Sequence, residues 1–307
     1  MQFNDYGLRE FDKNVQLLFI SGSHAYGTNH KNSDLDIRGF ALNDANDILL
    51  GKDFGYYTSK ETDTVIKSFN RQIELLSSGS VNELELFGLK KEHYLYVGEI
   101  GKLILDNENL FLSKLAVRTF IGYANSLIGR IGMDIQSELE YFDCSKYYLS
   151  DKFGVIAEKS NLYENNGEIY LDMNIHGYTI DKCIEYFRGI EALHGKYKKL
   201  SKNRRYVNTN KTMMNTIRVL VTGIELMETG KVNTYRSKER DLLKSILSGD
   251  FQNEDGSPAD RFTDLVNDNL KKFKYACNNT VLPDKPNKEG IEELRLQVNK
   301  KIVMGEL

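Results

Sequence analysis

Residues 18–40, LFISGSHAYGTNHKNSDLDIRGF, constrain this chain more than any other stretch. An apolar run ends at Gly22-Ser23, small and polar residues follow, and the chain resumes as Ser33-Asp34-Leu35-Asp36-Ile37. The pattern predicts a strand, a tight turn, a loop and a second strand carrying two acids. Alternate side chains of a strand share a face. Asp34 and Asp36 are therefore expected on one side, with Leu35 and Ile37 toward the core. Two carboxylates side by side in a partly buried place repel unless a cation or a proton compensates. Oxygen ligands two residues apart on a rigid strand suit a hard cation such as Mg²⁺. The Gly-Ser turn offers backbone N–H groups and a hydroxyl that can cradle phosphate. The stretch reads as a metal–triphosphate site.

At 307 residues the chain is long enough for a sizeable core and two domains. Its net charge of −3 argues against a uniformly basic nucleic-acid coat and leaves local patches open. No apolar run approaches the roughly 18 residues of a membrane span. The start, MQFNDYGLREFDKN, lacks the basic-then-apolar order of a signal peptide. Cys144, Cys183 and Cys277 are far apart and odd in number, which fits a reducing cytoplasm and gives no zinc spacing.

Periodicity divides the chain. Leu8, Phe11 and Val15 recur at helical spacing. Strands are expected at Val15–Ser21 and Ser33–Phe40, and a third in the alternating Asp63-Thr-Val-Ile-Lys-Ser-Phe. Phe69–Ser77 and Asn82–Leu89 read as short helices. From about Asp106 the pattern turns helical. Segments are expected at Asn109–Gly129 with a continuation over Ile131–Tyr141, then Ile180–Leu193, Met213–Glu228, Ser237–Ser248, Phe262–Cys277 and Lys288–Val303. Asn-Asn-Gly at 165–167 signals a turn, and Gly230 a helix stop. The expectation is an α+β protein: a small α/β domain with a mixed sheet over residues 1–105, then a mainly helical domain over 106–307.

GSHAYGTNHKNSDLDIRG, with eleven residues from Ser23 to Asp34, resembles the active-site signature of DNA polymerase β-type nucleotidyltransferases. Gly27 and the trailing Arg38-Gly39 look most like the RNA-repair, RlaP-like branch. VNELELFG resembles that branch's Asn-Pro-x-x-x-Glu-Leu segment, KTMMNTIRVLVTGIELMETGKV its Lys-x-x-x-His-x-x-Arg helix, and LPDKPN its Leu-Pro-x-x-Pro. Two departures stand out: Ser80-Val81 in place of Asn-Pro, and Asn215 in place of histidine. Neither touches the acids; both fall on the substrate side.

The resemblance implies transfer of a nucleotidyl group, with Mg²⁺ or Mn²⁺ held by three carboxylates and an NTP as substrate. Asp34 and Asp36 would bridge the metals. Asp63, opening the third strand, is the chosen third carboxylate, and Glu61 its rival. Gly22 would let the backbone approach the triphosphate, and Ser23 would donate to it. Ser33 could bond within the loop or contact phosphate. Arg38 could balance the acids or meet a phosphate. Tyr26 could stack on a ligand or pack in the loop. Lys211 and Arg218 share a helix face. By resemblance they contact nucleotide phosphates, although spacing alone also fits a solvated face. Glu85 is suggested by the same likeness, with a structural helix role as the other reading.

Lys196–Tyr206, KYKKLSKNRRY, packs six basic residues and two tyrosines into eleven positions. Lys198, Lys199, Lys202, Arg204 and Arg205 could bind an RNA end, with the tyrosines stacking on unpaired bases, or form a solvated loop. Three functions follow. The first is transfer of a nucleoside monophosphate to an RNA 3′ end, for example of a tRNA. The second is AMP or NMP transfer to a protein or small molecule. The third is a nucleotide- or RNA-binding module. Intact Asp34 and Asp36 favour the first two, and the basic run favours the first.

Overall fold

The computed structural model describes residues 3–8, 11, 14–59, 61–131, 160–165, 168–173, 177, 179–184, 187–188 and 209–307. The fold is α+β, with a small mixed sheet in the amino-terminal part followed by mostly helical chain. The sheet holds β1 (Val15–Ile20), β2 (Ile37–Ala41), β3 (Tyr56–Ser59), β4 (Thr64–Ser68) and β5 (Tyr94–Val97), in the order β3-β4-β2-β1-β5. Only β2 and β4 run parallel. Between and after the strands lie α1 (Gly22–Tyr26), α2 (Ala45–Leu49), α3 (Phe69–Ser77), α4 (Val81–Leu84) and α5 (Glu99–Asp106).

Several expectations need correction. β2 begins at Ile37, not Ser33. The chain of β1 has already turned into α1 beyond Ile20, so residues 33–36 lack a flanking strand. Leu35 is consequently 42% exposed and does not face the core, whereas Ile37 is buried. Gly22-Ser23 opens a five-residue helix in place of a plain turn. The third expected strand is the fourth in sequence, because Tyr56–Ser59 forms a hairpin with it. The edge strands β3 and β5 escaped periodicity because both are four residues long and mostly half-exposed. Leu8 and Phe11 do not lie on an α-helix. They cover one face of the sheet with Val15, Leu18, Ile37 and Ile66. The other face, with Leu17, Phe19 and Phe40, packs on the helices. Burial on both faces explains why β1 reads as a continuous apolar run.

The helical part holds α6 (Lys114–Arg130), α7 (Thr209–Thr229), α8 (Arg240–Ser248), α9 (Asp260–Asn279) and α10 (Lys288–Met304). α6 starts later than expected, behind a short 3₁₀ turn at Glu108–Leu110. A hairpin, β6 (Ser160–Asn165) and β7 (Glu168–Met173), flanks the expected turn and pairs Asn165 with Glu168. Residues 180–184 are helical. The proposed extension of α6 to Tyr141, the remainder of the 180–193 segment and the basic run at 196–206 lie outside the described residues. α7 is the central helix, packed against α6, α8 and α9. One apolar cluster joins Leu17, Phe40 and Phe69 of the sheet region to Phe120, Ile217 and Leu270. It runs continuously across the expected 105/106 boundary, which falls at the end of α5. Among the described residues no helix is long and apolar enough to cross a membrane, and Cys183 and Cys277 are free thiols.

Candidate active site

The parallel register of β2 and β4 pairs Ile37 with Thr64. Asp36 and Asp63 each precede their strand by one residue, so they meet at the same end of the sheet. The Ile37 amide donates to the Asp63 carbonyl (3.2 Å). Arg38 ties the pair together. Its Nη2 lies 3.3 Å from Asp36 Oδ1 and its Nη1 3.8 Å from Asp63 Oδ1. Nη1 also donates to the carbonyls of Asp63 (3.0 Å) and Ile37 (2.9 Å). Of the two roles open to Arg38, the structure displays charge balance.

Burial raises the Asp36 carboxyl above its ordinary range, and the Arg38 guanidinium opposes the rise. The Asp63 carboxyl adds to it by its charge and by a hydrogen bond, while Lys211 lowers it. Asp63 is the one non-glycine residue with positive φ (45°) among the described residues. Aspartate tolerates this left-handed conformation better than most residues, at a cost of about 1–2 kcal/mol. Glu61 and Asp63 both lie on the exposed turn ahead of β4, and of the two it is Asp63 that Arg38 joins to Asp36.

Asp34 is exposed, two residues before Asp36. Among the described residues no group of three or more histidine, cysteine or acidic side chains is gathered as a metal site. The Asp36–Asp63 pair offers two crowded oxygen donors of the kind a hard divalent cation takes, and Arg38, which supplies the positive charge between them in this structure, would have to yield to it.

α1 brings the backbone against this pair. Gly22 has φ +63°, and a Cβ built there would lie 2.0 Å from Asp36 Oδ2. Only glycine permits that approach. The Ser21 amide donates to the Asp36 carbonyl (2.8 Å). α1 ends at Gly27, also left-handed (φ 77°). The following loop folds back, with the Thr28 and Asn29 amides donating to the Ser23 carbonyl at 3.0 and 3.1 Å. The Ser33 hydroxyl accepts from the His30 amide (2.9 Å), and His24 Nε2 lies 3.3 Å from the Ser33 carbonyl. Ser33 therefore serves the loop in this structure, and Ser23 stands half-buried at the start of α1.

α7 forms the facing wall. Lys211 is exposed, close enough for its charge to act on Asp36. Arg218, seven residues on, is only 3% exposed and ion-paired with Glu85, itself 6% exposed. Its guanidinium carbon sits 3.8 Å from the Tyr26 ring centroid, and its Nε donates to Asn215 Oδ1 (3.2 Å). The Tyr26 hydroxyl donates to Glu85 Oε2 (3.0 Å). Burial raises the Tyr26 phenol well above its usual range, Arg218 opposing and Glu85 adding. Tyr26 is thus a packed aromatic, and Arg218 is not presented to a ligand. Asn215, the departure from the expected histidine, belongs to the same group.

Sequence reasoning missed the segment 232–236. The Thr234 hydroxyl donates to the Glu85 carbonyl (2.5 Å), the Thr234 amide to Gly88 (2.9 Å), and the Arg236 amide to the Tyr26 carbonyl (3.1 Å). Tyr235 packs on Gly27 and carries Lys90 Nζ 3.4 Å above its ring. No periodic signal marks this irregular stretch. Lys198, Lys199, Lys202, Arg204 and Arg205 lie outside the described residues.

Residues 7–148 match the family model described as RlaP: RNA repair pathway DNA polymerase beta family. This is the branch that the Gly22–Gly39 motif resembles. The match supports a polymerase β-type nucleotidyltransferase as the class of activity. Comparison with curated proteins gave no match, and neither did comparison with solved structures.

Proposed function

From the match of residues 7–148 to the RNA repair pathway DNA polymerase beta family, we propose that this protein transfers a nucleoside monophosphate from an NTP to an RNA end and releases pyrophosphate. One observation carries the reading. Two carboxylates, Asp36 and Asp63, meet at the head of the parallel pair β2/β4, and Asp36 lies against the backbone of Gly22 within reach of the Lys211 charge.

In the proposed reaction the acceptor hydroxyl oxygen forms a bond to the α-phosphorus while the bond from that phosphorus to the bridging oxygen breaks. The hydroxyl proton passes to a carboxylate, and pyrophosphate carries away the displaced charge. Asp36 and Asp63 would hold Mg²⁺ or Mn²⁺, which supplies Lewis-acid stabilisation of the phosphate charge when bound. Lys211 would meet the triphosphate from the α7 side. The Gly22 backbone would limit how far the α-phosphate can slide.

The test is incubation with each α-labelled NTP, Mg²⁺, total RNA and cell protein. The reading expects label on RNA that disappears in Asp36→Asn and Asp63→Asn. Label on protein or a small molecule alone would replace the acceptor. NTP binding with no transfer to anything would leave a binding module in place of an enzyme.

A further inference from the structure

We infer that Arg218, Glu85 and Tyr26 form a positioning node that sets α1 against Asp36, and that Arg218 does not touch the nucleotide. In its nucleotide terms the inference rests on the transferase reading above; in its structural terms it does not.

Three contacts hold the Arg218 guanidinium: Nη1 meets Glu85, Nε meets Asn215, and one face covers the Tyr26 ring. At 3% exposure it is turned away from solvent and from any ligand arriving through it. Glu85 is equally filled, taking Arg218 on one oxygen and the Tyr26 hydroxyl on the other. The three residues come from α1, the turn after α4, and α7, so the node pins three separate segments at one point. The 232–236 segment closes over it through Thr234 on Glu85 and Arg236 on Tyr26.

What the node controls follows from the length of α1. A five-residue helix cannot hold itself in water, because nucleation costs more than so few bonds return. Its place is set by its contacts. Tyr26 is its last residue and Gly22 its first, and Gly22 lies directly on the Asp36 carboxylate. Anchoring Tyr26 therefore fixes how closely the backbone approaches Asp36.

The test compares Arg218→Met, Glu85→Met, the double variant and Tyr26→Phe. The readouts are thermal midpoint, equilibrium NTP binding, turnover, and hydrogen exchange of the amides over residues 22–26. Arg218→Met leaves the Glu85 carboxylate buried without its partner, so its midpoint falls. The double variant removes both charges and regains most of the midpoint. A positioning role expects the double variant and Tyr26→Phe to bind NTP as the native protein does. Both should exchange the α1 amides faster and lose turnover, by about a hundredfold for a displacement near 1 Å. A phosphate-ligand role expects the double variant to fold and still bind NTP as weakly as Arg218→Met; that result overturns the inference. Should the native protein bind no NTP, the transferase reading falls alone. The node is then judged by amide exchange, and unchanged exchange in Tyr26→Phe and the double variant overturns it.

Discussion

Arg38 bridges Asp36 and Asp63, with one guanidinium nitrogen 3.3 Å from the first carboxylate and another 3.8 Å from the second. The bridge spans two strands that pair in parallel, and it compensates a repulsion that the sheet register imposes. Consequences for stability and activity follow from it and from its surroundings.

Burial, only partly offset by Arg38, lifts the Asp36 carboxyl above its ordinary value of 3.8. A carboxyl raised in the folded state holds its proton more tightly there than in the unfolded chain. The contribution of this group to stability therefore falls as pH rises from 3.8 through the folded pKa. Asp36→Asn removes this loss, so it should melt higher than the native protein near neutral pH, and the gain should shrink on acidification. Arg38→Met should enlarge the loss. Thermal midpoints of native protein and variants across a pH series check both; a difference between native protein and Asp36→Asn that does not change with pH through that window would refute the assignment.

Asp63 is held at φ 45° beside another acid. Asp63→Gly removes both the backbone strain and the repulsion, and should stabilise the fold by roughly 1 kcal/mol. Asp63→Ala keeps the strained backbone and should gain less. Both should lose nucleotidyl transfer. Denaturant unfolding separates the two variants, and equal stability would remove the strain argument.

A methyl group at Gly22 would have to occupy space 2.0 Å from Asp36 Oδ2, on a left-handed backbone. Gly22→Ala should therefore cost about 1–3 kcal/mol and displace α1 from the carboxylate. Calorimetry gives the cost, and loss of transfer in the still-folded variant gives the displacement.

Lys211 is exposed and near enough for its charge to act on Asp36, whereas Arg218 on the same helix is buried. Lys211→Met should weaken NTP binding roughly tenfold, the scale of one hydrogen bond to a charged group, with little change in midpoint. Titration calorimetry with NTP is the check. An unchanged affinity would take Lys211 out of the triphosphate site.

The site was legible in sequence where local chemistry decides. The apolar run before Gly22 falls as read, because strand burial is local, whereas the acids precede β2 and do not alternate along it as expected. The neighbour of Asp36 was legible only as a choice between Asp63 and Glu61. The Ile37–Thr64 register brings Asp63 beside it, and register is a long-range property. The phosphate role of Arg218 came from the resemblance, since its spacing from Lys211 alone also fits a solvated face. In the structure it pairs with Glu85, 133 residues earlier, and no pattern in α7 points to that partner. The edge strands Tyr56–Ser59 and Tyr94–Val97 carry too little contrast between their faces to register as alternation.

The central claim is that the Asp36–Asp63 pair transfers a nucleotidyl group to RNA. Its most direct test is the appearance of α-phosphate label on RNA with the native protein, run beside Asp36→Asn and Asp63→Asn of equal thermal midpoint or higher. The account predicts labelled RNA from the native protein and none from either variant. Labelling that survives in both variants, or label that never reaches RNA, would contradict it.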